Sequence, residues 1–259
     1  PRTRGEEAQP RSPKDPTPQS SVLSPHTSPP ALVPTPLHIV STGTANTASV
    51  LAAWERLGIE AILTTSESDV REAPRLVLPG VGSFGAAMRL LEAEGLVPAL
   101  RDRLAAGRPT LCICLGLQLL ATASDESPGA KGLGVCRVTV SRLPDQVEAA
   151  QLPRDVSQRV PQRVPQLGWN HVAAPKGSRF LTDGFAYYAN SYCLREVPQG
   201  WLAATTTYGV RFCAAIERAG VLACQFHPEL SGRWGAALLK RWYDESAAAH
   251  ANAPAKGAV

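Results

Sequence analysis

From Leu37 onward, short unbroken apolar runs alternate with longer stretches in which apolar residues return every third or fourth position. The runs suit strands covered on both faces, and the spaced stretches suit amphipathic helices. Leu37 to Val40 predicts a first strand, followed by a turn from Ser41 to Asn46. Ala48, Leu51, Ala52 and Leu57 then predict a helix ended by Gly58. Ile59 to Leu63 predicts the second strand, and the apolar run from Arg75 to Pro79 the third. Helices are expected over Phe84 to Glu94 and Leu96 to Ala106, then a strand over Thr110 to Cys114 and a helix to about Ala123. Strands separated by helices imply right-handed crossovers and a parallel sheet.

Leu133 to Val140 reads as another strand, after which the texture changes. Gly168 to Val172, Phe185 to Tyr188, Leu202 to Thr206, Phe212 to Glu217 and Val221 to Gln225 are short strands separated by Gly, Pro and polar turns. They predict a mixed or antiparallel extension. The expected fold is α/β, an open and largely parallel sheet with helices on both faces.

Two segments stand outside this pattern. Residues 1–36 carry ten of the 23 prolines among Ser, Thr, Gln and charges, too little apolar surface to offset chain entropy, and predict a disordered arm. Glu6, Glu7 and Asp15 weigh against a transit peptide. Residues 144–165, with the tandem Gln158-Arg159-Val160-Pro161 and Gln162-Arg163-Val164-Pro165, predict an inserted surface loop, and residues 246–259 form an Ala-rich tail. The folded domain is expected over 37–245.

At 44% hydrophobic residues the 259-residue chain can bury a substantial core. No apolar run approaches the ~20 residues of a membrane span. The net charge of +4 is spread without a basic block, which leaves nucleic-acid binding without support. Six Cys show no metal-ligand spacing with His, so no metal or other cofactor is expected, and reduced thiols in the cytoplasm fit best.

The chemistry concentrates at Cys114. A buried strand, a tight turn with Gly116 and a helix start reproduce the elbow that lifts a nucleophile above a sheet. There the free N–H groups of a helix start can stabilise an anionic sulfur and later an oxyanion. Cys112, two residues back, is expected to point the same way but deeper in the core. Gly80 and Gly82 bracket Val81 directly after the third strand, which suits either an oxyanion-binding backbone or a Gly-rich turn capped by Ser83. His227 follows the buried run Val221 to Phe226, with Pro228 fixing the chain and Glu229 in reach of one imidazole nitrogen. His171 has no acid nearby and reads as an ordinary surface or core-edge histidine. Asn46, at the end of the first turn, suits a helix cap or a contact with a ligand or partner.

Cys114-Leu115-Gly116-Leu117-Gln118, Pro79-Gly80-Val81-Gly82-Ser83-Phe84 and Phe226-His227-Pro228-Glu229 resemble the class I glutamine amidotransferases. Within them the turn with Asn46, the stretch Leu78 to Phe84, Gly168-Trp169-Asn170 and Tyr187 to Tyr192 are most similar to the glutaminase subunits of imidazole glycerol phosphate synthases, of histidine biosynthesis. The resemblance implies a flavodoxin-like sheet and a catalytic triad of Cys114, His227 and Glu229 that hydrolyses glutamine through a thioester. It also implies oxyanion and substrate binding by Gly80, Val81, Leu115, Gln118, Ser191 and Tyr192. The implied partner is a (β/α)8-barrel cyclase that uses the ammonia, in a heterodimer with Asn46 and Trp169 at or near the interface. Glutaminases of vitamin B6 or aminodeoxychorismate synthesis, γ-glutamyl hydrolases, cysteine peptidases and non-catalytic modules are the rival expectations. The chain departs from the subfamily at Gln166-Leu167 for His-Met, at Asn190 for the His of His-Ser-Tyr, and at Leu230, where a basic residue is usual.

Overall fold

The computed structural model describes residues 36–41, 46–147 and 161–251. The expected arm, most of the expected insertion and the end of the Ala-rich tail lie outside the described residues. Parallel strands β1 (Leu37–Val40), β2 (Ala61–Thr64), β3 (Leu76–Gly80) and β4 (Thr110–Cys114) carry helices α1 (Thr47–Arg56), α2 (Glu67–Glu72), α3 (Phe84–Ala93) and α4 (Val97–Ala105) between them. After α5 (Leu115–Gln118) come β5 (Ala123–Ser124), β6 (Thr139–Arg142), β7 (Gln166–Val172), β8 (Gly184–Asn190) and β9 (Tyr192–Leu194). The chain closes with β10 (Leu202–Tyr208), β11 (Val210–Arg218), β12 (Val221–Cys224), a 3-10 turn at Pro228–Leu230 and α6 (Gly232–Ala251).

The main sheet has seven strands in the order β10-β11-β12-β4-β3-β1-β2. Its β12 runs parallel to β4, and β11 and β10 add to it antiparallel. The late strands do not all join this sheet. β7 and β8 form a separate ribbon, joined to β10 by the Ala173–Thr205 bridge, and β5, β6 and β9 form a small third sheet. Apolar positions of the central strands alternate between two cores. Leu76, Leu78, Cys112, Val221 and Ala223 face one, and Val77, Leu111, Ile113, Leu222 and Cys224 face the other.

Local chemistry explains where elements begin and end. β2 starts at Ala61 and not at Ile59, because the Ile59 N–H donates to Trp54 O and the Gly58 N–H to Glu55 O, closing α1 with Gly58 at φ +70. The short α2, which hydrophobic periodicity does not reveal, is capped by Ser66, whose hydroxyl accepts from the Asp69 N–H. The expected helix from Leu115 to Ala123 stops after one turn. Leu119 O, Leu120 O and Ala121 O accept from the N–H groups of Leu133, Cys136 and Gly134, so residues 132–136 cover the elbow helix and the expected strand there shrinks to β6. Buried Arg103 ties the same layer together by donating to Val70 O, Ala73 O, Pro109 O and the Thr110 hydroxyl. Burial, with the nearby charge of Arg108, pulls this guanidinium down to about 9.

Candidate active site

β4 and β12 are parallel neighbours in register, with Cys112 opposite Ala223 and Ile113 opposite Cys224. The next residues on each side are Cys114 and Gln225, and two residues further, beyond the end of β12, comes His227. Two segments more than a hundred residues apart in sequence therefore deliver side chains to one sheet edge, the C-terminal edge where open α/β sheets hold ligands.

Cys114 leaves β4 with φ +53 and ψ −105 as α5 begins. This turn reverses the strand alternation, so Cys114 joins the core of Leu111 and Ile113 while Cys112 lies in the opposite core. Cys112 consequently does not point the same way as Cys114. Burial pushes the Cys112 thiol well above its ordinary value and leaves it a small apolar filler. The elbow lies directly on β3. A Cβ at Gly116 would run into the Leu78 carbonyl oxygen, and one at Gly80 would come within 2.9 Å of Leu115 Cβ. Gly80 thus remains behind Leu115, and Val81 and Gly82, the latter at φ +94, reach the cavity wall. Ser83 makes no side-chain cap of α3. Glu126 Oε2 accepts from the Phe84 N–H at 2.6 Å and Ser127 Oγ from the Gly85 N–H at 3.0 Å.

His227 Nδ1 and Glu229 Oε1 are 2.8 Å apart. With Nδ1 taken, Nε2 is the nitrogen left to face Cys114, which lines the same cavity. The backbone of His227 is fixed on both sides: its N–H donates to Tyr187 O, and the Ser231 hydroxyl donates to its carbonyl while accepting from the Tyr187 N–H. Burial pulls the imidazole down, but the neighbouring Cys114 sulfur and Glu229 carboxylate outweigh it and push it up to about 10. That direction favours a ring that keeps its proton beside the Cys114 sulfur.

A cavity of ≈ 450 Å³ opens over this pair. Val81, Leu115, Gln118, Ser191, Tyr192 and Asn46 line it with Cys114, His227 and Glu229. Asn46 also caps α1, its Oδ1 accepting from the Ser49 N–H at 3.3 Å. Trp169 is not on the cavity wall. It stands on the outer face of the β7–β8 ribbon, 58% exposed and edge-on to Tyr187. Two polar residues at the site have no role assigned by the sequence. Glu126 follows β5 in an acidic loop whose letters give no sign that it faces Cys114, yet it lines the cavity. Gln225 is fully buried with its Nε2 3.7 Å from Cys114 Sγ, a proximity that only the β4–β12 register reveals. Among the described residues, no group of three or more His, Cys, Asp or Glu is placed to hold a metal ion.

A sulfur at a strained elbow, an acid–base imidazole oriented by a carboxylate and an amide-lined cavity form equipment for acyl transfer from a small substrate. The sequence profile of the family described as Glutamine amidotransferase class-I matches residues 38–245. The chain belongs to that family. Among class I glutamine amidotransferases it is 37% identical over 207 residues to the imidazole glycerol phosphate synthase subunit HisH of Streptococcus sanguinis, covering 79% of this chain and 93% of the relative. It is 38% identical over 212 residues to the same subunit of Geobacter sulfurreducens, covering 80% and 98%. A crystal structure of a glutamine amidotransferase superposes with a TM-score of 0.60 at 21% identity, covering 82% of this chain and 98% of the other, which supports the amidotransferase fold.

Proposed function

We propose that this chain is the glutamine-hydrolysing subunit of an imidazole glycerol phosphate synthase. The observation that carries the reading is the convergence of Cys114 and the hydrogen-bonded pair His227 and Glu229 on one cavity at the ends of β4 and β12, in a chain similar over four-fifths of its length to relatives bearing that name. Cys114 sulfur attacks the side-chain amide carbon of glutamine, and the oxyanion forms against the backbone N–H groups of Val81 and Leu115. The C–N bond then breaks as His227 gives its proton to the departing nitrogen, releasing ammonia and leaving a γ-glutamyl thioester. His227, now neutral, takes a proton from water as the water oxygen attacks the thioester, and glutamate and the sulfur are released. Glu229 holds Nδ1 throughout, fixing the ring for both steps. Gln118 and the Ser191–Tyr192 backbone bound the substrate, and the Glu126 carboxylate suits its α-ammonium group.

Ammonia released at this edge is useful only if a second active site covers the cavity mouth. Leu167 and Leu230 line the cavity and are exposed, and Trp169 and Phe185 continue an apolar face beside them, a surface fitted to a partner. The partner of this reading is a (β/α)8-barrel cyclase, with Trp169 on the contact and Asn46 near it. Histidine biosynthesis in the cytoplasm is the corresponding setting. Six free, buried cysteines suit a reducing compartment, and among the described residues no helix is long and apolar enough to cross a membrane. The test is glutamate production by the full chain with and without a barrel cyclase and its nucleotide ligand. Slow turnover alone, stimulation by the complex and loss in Cys114→Ala are expected. Fast turnover without the partner would assign the chain to a simple hydrolase, and stimulation by a different synthase would move it to another pathway.

A further inference from the structure

Gln225 is fully buried beside the nucleophile, and the mechanism above gives it nothing to do. The polarity of its amide is fixed by a chain of contacts that starts at the backbone. Tyr192 O can only accept, and the Gln118 Nε2 group donates to it at 2.9 Å. The same Gln118 nitrogen donates to Gln225 Oε1 at 3.2 Å. Gln225 must therefore turn its Nε2 group away from Gln118, and there it meets Cys114 Sγ at 3.7 Å. Asn190 Nδ2 donates to the same Tyr192 carbonyl at 3.1 Å, holding the far end of the chain in place. A donor aimed at sulfur stabilises the anion more than the thiol, which needs no donor.

We propose that Gln225 is a positioning residue for the nucleophile. Its side-chain N–H donates to Cys114 Sγ, favours the anionic sulfur and holds it between the elbow and His227, while its carbonyl ties that placement through Gln118 to the Tyr192 backbone on the substrate side of the cavity. The proposal rests on Cys114 being the nucleophile of the proposed function, but its test needs neither glutamine nor a partner. The five other cysteines are each at most 1% exposed, so iodoacetamide on the native full chain reports Cys114, with peptide mapping as the check and Cys114→Ser as the blank.

Gln225→Met keeps the length of the side chain and removes both donors. It is expected to slow alkylation at pH 7 roughly ten-fold and to move the midpoint of the alkylation–pH profile up by about one unit, the size a hydrogen bond to an ionised group supports. Gln225→Glu keeps the shape and the acceptor for Gln118 but sets a carboxylate against the sulfur, and should move the midpoint further in the same direction. In the complex with a cyclase, both variants should lose kcat with KM nearly unchanged. A Gln225 that only fills space would leave the midpoint where it is, whatever it did to stability, and an unmoved midpoint in either folded variant overturns the proposal. A shifted midpoint in a protein that hydrolyses no glutamine in any complex would instead overturn the proposed function and leave the role of Gln225 standing.

Discussion

Cys114 takes a backbone conformation that side-chain-bearing residues rarely adopt, at a cost of about 1–3 kcal/mol that the surrounding packing must hold. What the strain secures is a sulfur turned off its own strand and into reach of His227. The imidazole it meets binds a proton more tightly in the folded protein than in the unfolded chain, where its value is 6.5, against about 10 in place. Folding therefore gains from this proton fully below pH 6.5, and the gain is lost as pH rises through about 10. Calorimetric melting of the wild type should accordingly fall more steeply between pH 7 and 10 than that of His227→Gln, and parallel slopes would show that the ring holds no extra proton. The three residues proposed as the triad could be picked out of the sequence because each sits in a local motif, a strand–Gly turn and a strand–His-Pro-Glu. Gln225 and Glu126 could not, since one depends on strand register and the other on a loop folding back over α3. The facing of Cys112 was misread for a related reason: period-two alternation holds only until the backbone dihedral that reverses it.

At the scale of elements, the site depends on how closely α5 lies on β3. Gly116 and Gly80 have no Cβ, and the Leu78 carbonyl and the Leu115 side chain fill the space one would need. Gly116→Ala would press a methyl group against the Leu78 carbonyl and push the elbow off β3, carrying Leu115 and Cys114 away from Val81. A loss of about 1–3 kcal/mol in urea unfolding is expected. The accompanying loss of turnover should be about ten-fold or more, because acyl transfer tolerates little displacement of donor from nucleophile. Unfolding at the wild-type urea midpoint together with full activity would contradict this account of the elbow. The parallel core of the sheet could be read from its apolar runs, as strands buried on both faces have no other pattern. The one-turn length of α5 could not. Leu119, Leu120 and Ala121 continue a helical apolar pattern, and it is the N–H groups of Leu133, Gly134 and Cys136 that take their carbonyls. The separate β7–β8 ribbon was hidden in the same way, since its alternation fits an added sheet strand as well as a detached hairpin.

At the scale of the whole molecule, four of the seven exposed large hydrophobic residues described, Leu167, Trp169, Phe185 and Leu230, lie at or beside the cavity mouth. Along the ribbon Leu167 pairs with Ala189, Trp169 with Tyr187 and His171 with Phe185, and among the described residues this outer face carries the most exposed large hydrophobic side chains, Leu167 at 63%, Phe185 at 60% and Trp169 at 58%. Leu230 extends the apolar character across the cavity mouth. A partner seated here would cover the outlet for ammonia and bury an aromatic anchor, the kind of contact that dominates binding energy. Trp169→Glu tests this directly. Because the indole is largely exposed, the variant should unfold within about 0.5 kcal/mol of the wild type. Placing a charge at the centre of a desolvated apolar contact should weaken titration calorimetry binding to a barrel cyclase by a factor on the order of 100. Stimulation of glutamine hydrolysis should fall with the binding at fixed cyclase concentration and return when cyclase is raised, since the triad is untouched. If affinity is unchanged while stimulation disappears, Trp169 acts in coupling and not in docking, and the anchor of the complex must be sought elsewhere on this face.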